Sequence, residues 1–555
     1  MKIKVSELIV RYLERLGIDT IFGMPGAHVL PIYDALYDSK IEAVLSKHEQ
    51  GAAFMAGGYA KSSTTVSACI ATAGPGATNL ITGIANAYAD KQPVLVITGE
   101  APTYIFGKGG LQESSGEGGS LDQVALFKHI TRYSKSIERV DYLPQVLTQT
   151  TQALLDSNPG PVLLSIPFNV QSELVDEELL DDLTFTHPQA PVSLTSELVS
   201  SALALLNESK HPVIIAGYGA IHSGAQQALS EFSNLLNIPV ASSLKAKGVV
   251  SEQSALSLGS LGVTSNGVAY QYIREKADLL IVLGASFNER TSYVWDKSLL
   301  GNLKILQIDQ AARQLGKVFN TDLAICGDIR QVLESLLNAL KAQKRELPAT
   351  LKTEQSISQL KSTSDNGYAI FKSGFSLVET FYKELSARFP DEIRVFDDNI
   401  IFAQNFYDVT SHHQYHPNAG ISSLGHAIPA AIGAQFNEIL PSFAILGDGG
   451  FQMCCMEIMT AVNYDKPLNI VMFNNGTMGL IRKNQHQLYE KRFINCDFIN
   501  PDYRLLAQSF GIQYQQITNI DELVDLFDNQ DLRQSINLID ISIDKNAFPS
   551  YSSKR

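Results

Sequence analysis

Two short apolar runs, Ala444-Ile445-Leu446 and Leu468-Asn469-Ile470-Val471-Met472-Phe473, most constrain what this chain can fold into, because of the turn residues that end each. The first ends in Gly447-Asp448-Gly449-Gly450, the second in Asn474-Asn475-Gly476-Thr477, and Asn475 lies 27 positions after Asp448. The runs read as buried strands and Phe451 to Tyr464 as the helix between them, a β-α-β unit. Asp448 and Asn475 then stand at the carboxyl ends of strands in one sheet, the edge where open α/β sheets bind ligands. A carboxylate, an amide oxygen and a backbone carbonyl near Thr477 are hard oxygen ligands of the kind magnesium takes, with positions left for phosphate oxygens and water. The glycines let backbone N–H groups approach a phosphate closely. Gly-Asp-Gly alone is a common turn with the Asp as helix cap. The asparagine pair ending a second strand is what points to a diphosphate held through Mg2+.

At 555 residues the chain exceeds a single core, so several domains are expected. A hydrophobic content of 45% against 18% charged is ordinary for globular domains, and the net charge of −14 argues against a nucleic-acid partner. The five cysteines, Cys69, Cys326, Cys454, Cys455 and Cys496, show no pairing or ligand spacing, which predicts neither a disulfide framework nor a zinc site. The start, Met1-Lys2-Ile3-Lys4-Val5, lacks a signal-peptide core, and no run of eighteen apolar residues predicts a membrane span. A cytoplasmic protein is expected.

Strand-like and helix-like runs alternate throughout, as in Val94 to Thr98, Val162 to Ile166 and Val213 to Ala216, which predicts parallel sheets covered by helices. Two stretches break the pattern: the acidic, then Pro-containing segment from Val175 to Pro191, and the Lys-, Ser-, Thr- and Gln-rich segment from Lys341 to Asn366. Read as linkers, they divide an α/β chain into three doubly wound parallel-sheet domains at 1–175, 190–342 and 365–550.

The stretch from Gly447 to Gly479 resembles the diphosphate-binding signature of thiamin-diphosphate (ThDP) enzymes. The N-terminal part resembles acetohydroxyacid (acetolactate) synthases through Ile21-Phe22-Gly23-Met24-Pro25-Gly26, Lys47-His48-Glu49-Gln50-Gly51-Ala52-Ala53 and Ala71-Thr72-Ala73-Gly74-Pro75-Gly76-Ala77-Thr78-Asn79. The likeness runs from about position 3 to 545, dense at both ends and thin between. It implies an N-terminal pyrimidine-binding, a central and a C-terminal diphosphate-binding domain. It also implies Glu49 as the carboxyl group on the aminopyrimidine, and the apolar residues on either side of it predict that it is buried. The implied metal ligands are Asp448, Asn475 and Thr477, and the implied cofactor contacts are Glu49, Gly26, Ser422, Leu424, Gly447, Gly449, Gly450, Asn475, Thr477, Met478 and Gly479. Leu424, in Ile421-Ser422-Ser423-Leu424-Gly425-His426, takes the position of the wedge that folds the cofactor, and the carbonyl near Ser422 would accept from its exocyclic amine. Gln112 and His28 would face the substrate, with His28 either an acid–base group or a wall of the pocket. His426 and the pair His412-His413 have weaker claims, the pair reading as a solvated loop.

The departures from the family pattern are informative. Asn484 stands where synthases feeding branched-chain amino-acid synthesis carry a tryptophan, which weakens the expectation of 2-oxobutyrate as acceptor. Asp397-Asp398-Asn399 stands in the region of the family's Gly-Gln-His phosphate loop, so the diphosphate clamp is expected to differ there. Tyr218 stands where flavin-binding relatives have arginine, and the loop from Gly284 to Arg290 alters its polar residues, so FAD is expected to be absent or vestigial. The resemblance implies a homodimer or homotetramer in which Glu49 of one subunit and the metal loop of another meet. The implied activity is decarboxylation of a small 2-oxo acid such as pyruvate with carboligation to a second carbonyl compound. The alternatives are a non-ligating decarboxylase that releases an aldehyde, and a catalytically silent scaffold of the same fold. A nicotinamide dehydrogenase is disfavoured, since no Gly-x-Gly-x-x-Gly opens a helix after a strand.

Overall fold

The computed structural model describes residues 1–181, 183–185, 194–300, 303–342, 357–361 and 370–551. Three six-stranded sheets carry the chain, each parallel throughout. The first has the spatial order Glu42–Leu45, Thr20–Gly23, Ser67–Ala71, Val94–Glu100, Val162–Pro167, Tyr133–Ser136. The third has the order His413–Pro417, Ile393–Asp397, Ser442–Gly447, Leu468–Asn474, Ile536–Ser542, Gln513–Ile517. Numbered along the chain within each sheet, both run 2-1-3-4-6-5, so the terminal domains share one topology that their sequences do not reveal. The central sheet runs 3-2-1-4-5-6, with its switch point between Pro212–Ala216 and Leu279–Leu283, where such sheets place their ligand crevice. The expected strands are therefore present, and their β-branched, doubly buried residues are what a parallel sheet covered on both faces requires.

The acidic stretch after Val175 is not simply a linker. Leu174–Asp176 pairs antiparallel with Lys2–Lys4, Leu180 is buried, and Arg15 donates to the Leu180 carbonyl and the Asp181 carboxylate. Arg11 and Glu177 also pair, so the acidic stretch ties back to helix Val5–Arg15. Residues 186–193 and most of 341–366 lie outside the described residues.

Helix Glu49–Ser63 packs on helix Ala427–Asn437 of the C-terminal unit with backbones almost touching. A methyl on Gly58 would meet the Ala430 carbonyl oxygen at 2.0 Å, and one on Gly433 would meet that of Met55 at 2.0 Å. Position 58 faces 430 and 55 faces 433, so the helices run in opposite directions, and Ala52, Met55, Ala56, Ala430, Ala431 and Ala434 fill the seam.

Candidate functional site

The C-terminal half of the site forms at two adjacent strand ends. Ser442–Gly447 pairs with Leu468–Asn474 so that Gly447 faces Phe473. Asp448 is buried, and Oδ2 accepts from the N–H of Gly476 (2.7 Å) and from Asn500 Nδ2 (2.8 Å), while Oδ1 accepts from the N–H of Gly449 (3.1 Å). Burial raises its titration above the ordinary carboxylate range, a cost that a divalent cation would relieve. Asn475 Oδ1 accepts from the Thr477 N–H. The Thr477 hydroxyl donates to the Cys496 carbonyl at 2.7 Å, which turns that side chain toward Cys496 and makes the backbone carbonyl the candidate ligand. Among the described residues no group of three His, Cys, Asp or Glu side chains could hold a metal. The set here is instead one carboxylate, one amide and one carbonyl, which suits Mg2+ together with phosphate oxygens. Gly449 is a tight approach, since a methyl there would lie 2.6 Å from Met478 Sδ, whereas Gly450 opens onto the Leu424 Cβ at 4.0 Å. A methyl on Gly479 would crowd Asn475 Nδ2 at 2.8 Å.

Leu424 is 36% exposed, so it is a protruding apolar side chain and not a core residue. Ser422, two positions earlier, has φ 55, a left-handed conformation that non-glycine residues seldom adopt outside functional sites. The Asp398 carboxylate accepts from the N–H groups of Gly425, His426 and Ala427 and so caps helix Ala427–Asn437. Asp398 thus uses this helix start for itself, in the segment where the Gly-Gln-His loop is missing. His426 is buried, with Nδ1 3.4 Å from Asp398. His413 is not in a solvated loop: it is buried in strand His413–Pro417, bonded to Tyr407 (2.8 Å) and to the Phe389 carbonyl (2.6 Å), while His412 is exposed.

The N-terminal half gathers around Thr72. Its Oγ1 lies 3.5 Å from His28 Nδ1 and 3.4 Å from Gln112 Oε1, and its side chain fills the space beside Gly26 and Gly76. Gln112 has φ 54 and packs its Cβ against Gly74. Its loop is tied by Glu113, whose carboxylate accepts from the N–H groups of Gly107, Gly109 and Gly110. Burial lowers the titration of His28, so the ring is neutral near pH 7. Glu49 Oε2 accepts from Asn79 Nδ2 at 2.9 Å, and Oε1 lies 3.6 Å from where a Gly76 methyl would sit.

Glu49 is half-buried within one chain, not enclosed as its sequence context suggested. It heads its helix at the sheet edge, with its apolar successors Gly51 to Ala60 turned inward. Behind it stands a residue that sequence reasoning missed. Glu457 accepts from the N–H groups of Lys47 (3.0 Å) and His48 (2.9 Å) and from Thr460, and a methyl on Gly51 would strike it at 2.1 Å. The expected helix from Phe451 to Tyr464 breaks into Asp448–Cys454, a 3-10 turn at Cys455–Glu457 and Ile458–Asn463, and that break delivers Glu457. Asn79, Thr72, Asn500 and Asp398 were likewise unassigned. Asn79 and Thr72 lie within the family-like run from Ala71 to Asn79, but the partners of the other residues are remote in sequence.

The two halves do not meet within one chain. Gly76, beside Glu49, begins helix Pro75–Ala89, and Asp90 at its far end lies 2.7 Å from where a Gly420 methyl would sit. Fifteen residues of helix place the Glu49 end and the Gly420–Leu424 end roughly 20 Å apart.

Three family models match the chain: the thiamine pyrophosphate enzyme N-terminal TPP binding domain over residues 3–126, the central domain over 199–336 and the C-terminal TPP binding domain over 399–540. The chain is 33% identical to a probable acetolactate synthase large subunit of Methanocaldococcus jannaschii, over 98% of this chain and 92% of the relative. It is 33% identical to the acetolactate synthase large subunit of Lactococcus lactis subsp. lactis, over 94% and 89%. It is 30% identical to the acetolactate synthase isozyme 2 large subunit of Escherichia coli strain K12, over 98% and 96%. With the glycine cradle, the oxygen donor set and these matches along all three domains, the chain belongs to the thiamine pyrophosphate enzymes and is a TPP-dependent enzyme similar throughout its length to acetolactate synthase large subunits.

Proposed function

We propose that this protein decarboxylates a small 2-oxo acid, pyruvate first among them, and joins the remaining fragment to a second carbonyl compound, using ThDP and Mg2+. Bound ThDP supplies the nucleophilic carbon and the electron sink for that chemistry. The rest falls to this chain's residues. Asp448, Asn475 and the Thr477 carbonyl hold the metal. Gly447, Gly449 and Gly450 admit the diphosphate to backbone N–H groups, and Met478 and Gly479 close that wall. Leu424 would support the cofactor from below, the Ser422 carbonyl would accept from its amine, and Gly26, packed on Thr72, would give backbone to the wall beside its pyrimidine. Glu49, oriented by Asn79, holds the proton at the aminopyrimidine nitrogen.

The observation that carries the carboligase reading is the placement of Gln112. A strained, carboxylate-tied loop presents its amide beside His28 and Thr72, next to the Glu49 wall. Such a fixed donor is suited to a second carbonyl oxygen. The two half-sites, some 20 Å apart in one chain, support a homodimer or a tetramer built from it, each site taking Glu49 from one subunit and Asp448 from its partner. Ile421, Leu424, Met453 and Ile481 leave an exposed apolar surface for that contact. We further propose domain limits at 1–175, 190–342 and 365–550, and a central domain acting as a spacer. At its switch point Gly217 packs on Gly284, and Tyr218, whose hydroxyl accepts from Gln92, lines a cavity of about 1300 Å³ together with His222, Lys245 and Asp328. Among the described residues no helix is long and apolar enough to cross a membrane. The five unpaired cysteines favour a cytoplasmic setting.

The test is incubation with ThDP, Mg2+ and 2-oxo acids alone and in pairs, with products identified by mass. Carbon–carbon bonded hydroxy-oxo acids are expected. Free aldehyde alone would point to a simple decarboxylase, and no turnover together with no ThDP binding to a silent scaffold.

A further inference from the structure

Strand Ile393–Asp397 runs out into three polar residues, Asp397, Asp398 and Asn399, and each has a different set of partners. Asp397 is buried and faces back into its own turn. Its Oδ1 accepts from the N–H groups of Asn399 (2.7 Å) and Ile400 (3.1 Å), and its Oδ2 from the Tyr415 hydroxyl (2.8 Å). Asp398 turns one oxygen to the three N–H groups that open helix Ala427–Asn437 and the other to Asn418 Nδ2 (3.0 Å). Asn399 is different. Its main-chain N–H is taken by Asp397, whereas among the described residues its side-chain amide makes no hydrogen bond. The turn that presents it includes Ile400 at φ 22, a backbone state that persists only where the surroundings fix it.

Asn399 stands at the crevice of its sheet. Asp397 pairs with Ile445, so two residues further on Asn399 comes level with Gly447 of the next strand. Its Oδ1 and Nδ2 lie 3.7 and 4.0 Å from where a Gly447 methyl would sit. In the spatial order 2-1-3-4-6-5 these are strands 1 and 3, from which the chain departs in opposite directions, and open α/β sheets bind ligands between such strands. On the far side of Ser442–Gly447, strand Leu468–Asn474 leads to Asn475 and Thr477. An anion over Gly447 and Gly449 is therefore reached from both neighbouring strands, by the proposed metal ligands from one and by an unbonded amide from the other. Two carboxylates facing a phosphate would repel it, but here both are turned to other donors. The helix start that could itself hold a phosphate is filled by Asp398. A neutral donor is what this segment has left, and a hydrogen bond from an amide to a charged oxygen is among the stronger kinds.

We propose that Asn399 is this chain's second hold on the diphosphate, its Nδ2 donating to a phosphate oxygen from the side of Gly447 opposite the metal. This rests on the ThDP reading of the same site. The test is calorimetric titration of the full-length protein in Mg2+ with ThDP and, separately, with inorganic pyrophosphate. Asn399→Ala should weaken both ligands about 10–100-fold, and by the same factor. Asn399→Asp, nearly the same shape but an anion without a donor, should weaken both further. Thermal midpoints of the ligand-free variants should stay within about 2 °C of the wild type, which separates a lost contact from a lost fold. Asn399→Asp keeps the side chain's volume and decides the matter should Asn399→Ala fold poorly. Affinities unmoved by either variant, or a loss for ThDP that pyrophosphate does not share, would overturn the proposal. Wild-type protein that binds pyrophosphate but not ThDP, with both variants impaired, would sink the cofactor reading and leave the anion contact standing. ThDP bound equally by wild type and variants would sink the contact alone.

Discussion

Gly58→Ala sets two effects of opposite sign against each other at one position. Replacing a mid-helix glycine by alanine ordinarily stabilises by roughly 0.5–1 kcal/mol, because the unfolded chain loses freedom. At Gly58 the new methyl would stand 2.0 Å from the Ala430 carbonyl oxygen, while real contacts stay beyond 3.0 Å, so the two helices must separate by about 1 Å. The opposing atom belongs to a helix backbone and cannot rotate away. A radial gap of about 1 Å forfeits a quarter to a half of each dispersion contact along the seam, and overpacking of this kind costs about 1–3 kcal/mol. Taking the upper end and subtracting the propensity gain, Gly58→Ala should destabilise by about 2 kcal/mol. Gly57 is the control, with nothing within 4 Å of its added methyl, so Gly57→Ala should be neutral or stabilising by up to about 1 kcal/mol. Gly433→Ala meets the Met55 carbonyl across the same gap. One separation relieves both clashes, so the double variant should cost at least about 1 kcal/mol less than the sum of the singles. Urea unfolding of all four variants measures this, with ThDP affinity as a second readout because the helix that moves carries Glu49. If Gly58→Ala stabilises as much as Gly57→Ala, the close backbone contact is not present in solution and the reasoning fails.

Three further outcomes are expected. Glu49→Gln should lower turnover by about 10²–10⁴-fold, the span of a positioned acid–base group, with ThDP still bound; steady-state rates and cofactor titration check both parts. Asn500→Ala removes a donor that orients Asp448, and Mg2+ affinity should weaken by about 10–100-fold, read from the metal dependence of activity and from calorimetry. Asp397 is buried and its carboxyl is pushed up to about 7, above the unfolded value of about 4. The stability it contributes is therefore full below about pH 4 and is lost as pH rises through about 7, by at most about 4 kcal/mol. Asp397→Asn should flatten that stretch of the urea midpoint against pH, and a profile of unchanged slope would count against the assignment.

Much of the architecture was written in local pattern. Short β-branched runs ending in glycine or asparagine marked the strands, and Gly447 to Gly450 with Asn475 marked the edge where a diphosphate could sit, because turn chemistry and alternation of elements act over a few residues. The same local logic misjudged His413, taken with its neighbour as a solvated loop, and treated Val175 onward as a linker, since neither a strand that completes a sheet edge nor a pairing with Lys2–Lys4 is signalled nearby. What tertiary structure alone decided involves residues hundreds of positions apart, such as Glu457 holding the turn before Glu49 and Gly58 against Ala430, and burials such as that of Lys483 beside Tyr551. It also decided that Glu49 and Gly420 lie beside opposite ends of helix Pro75–Ala89, and that Glu49 is half-buried. Sequence sets which residues prefer a strand, a turn or the interior. Which distant groups become neighbours, and which buried charges are left without a partner, depends on how three cores pack together, and that is a property of the assembled surfaces and not of any segment.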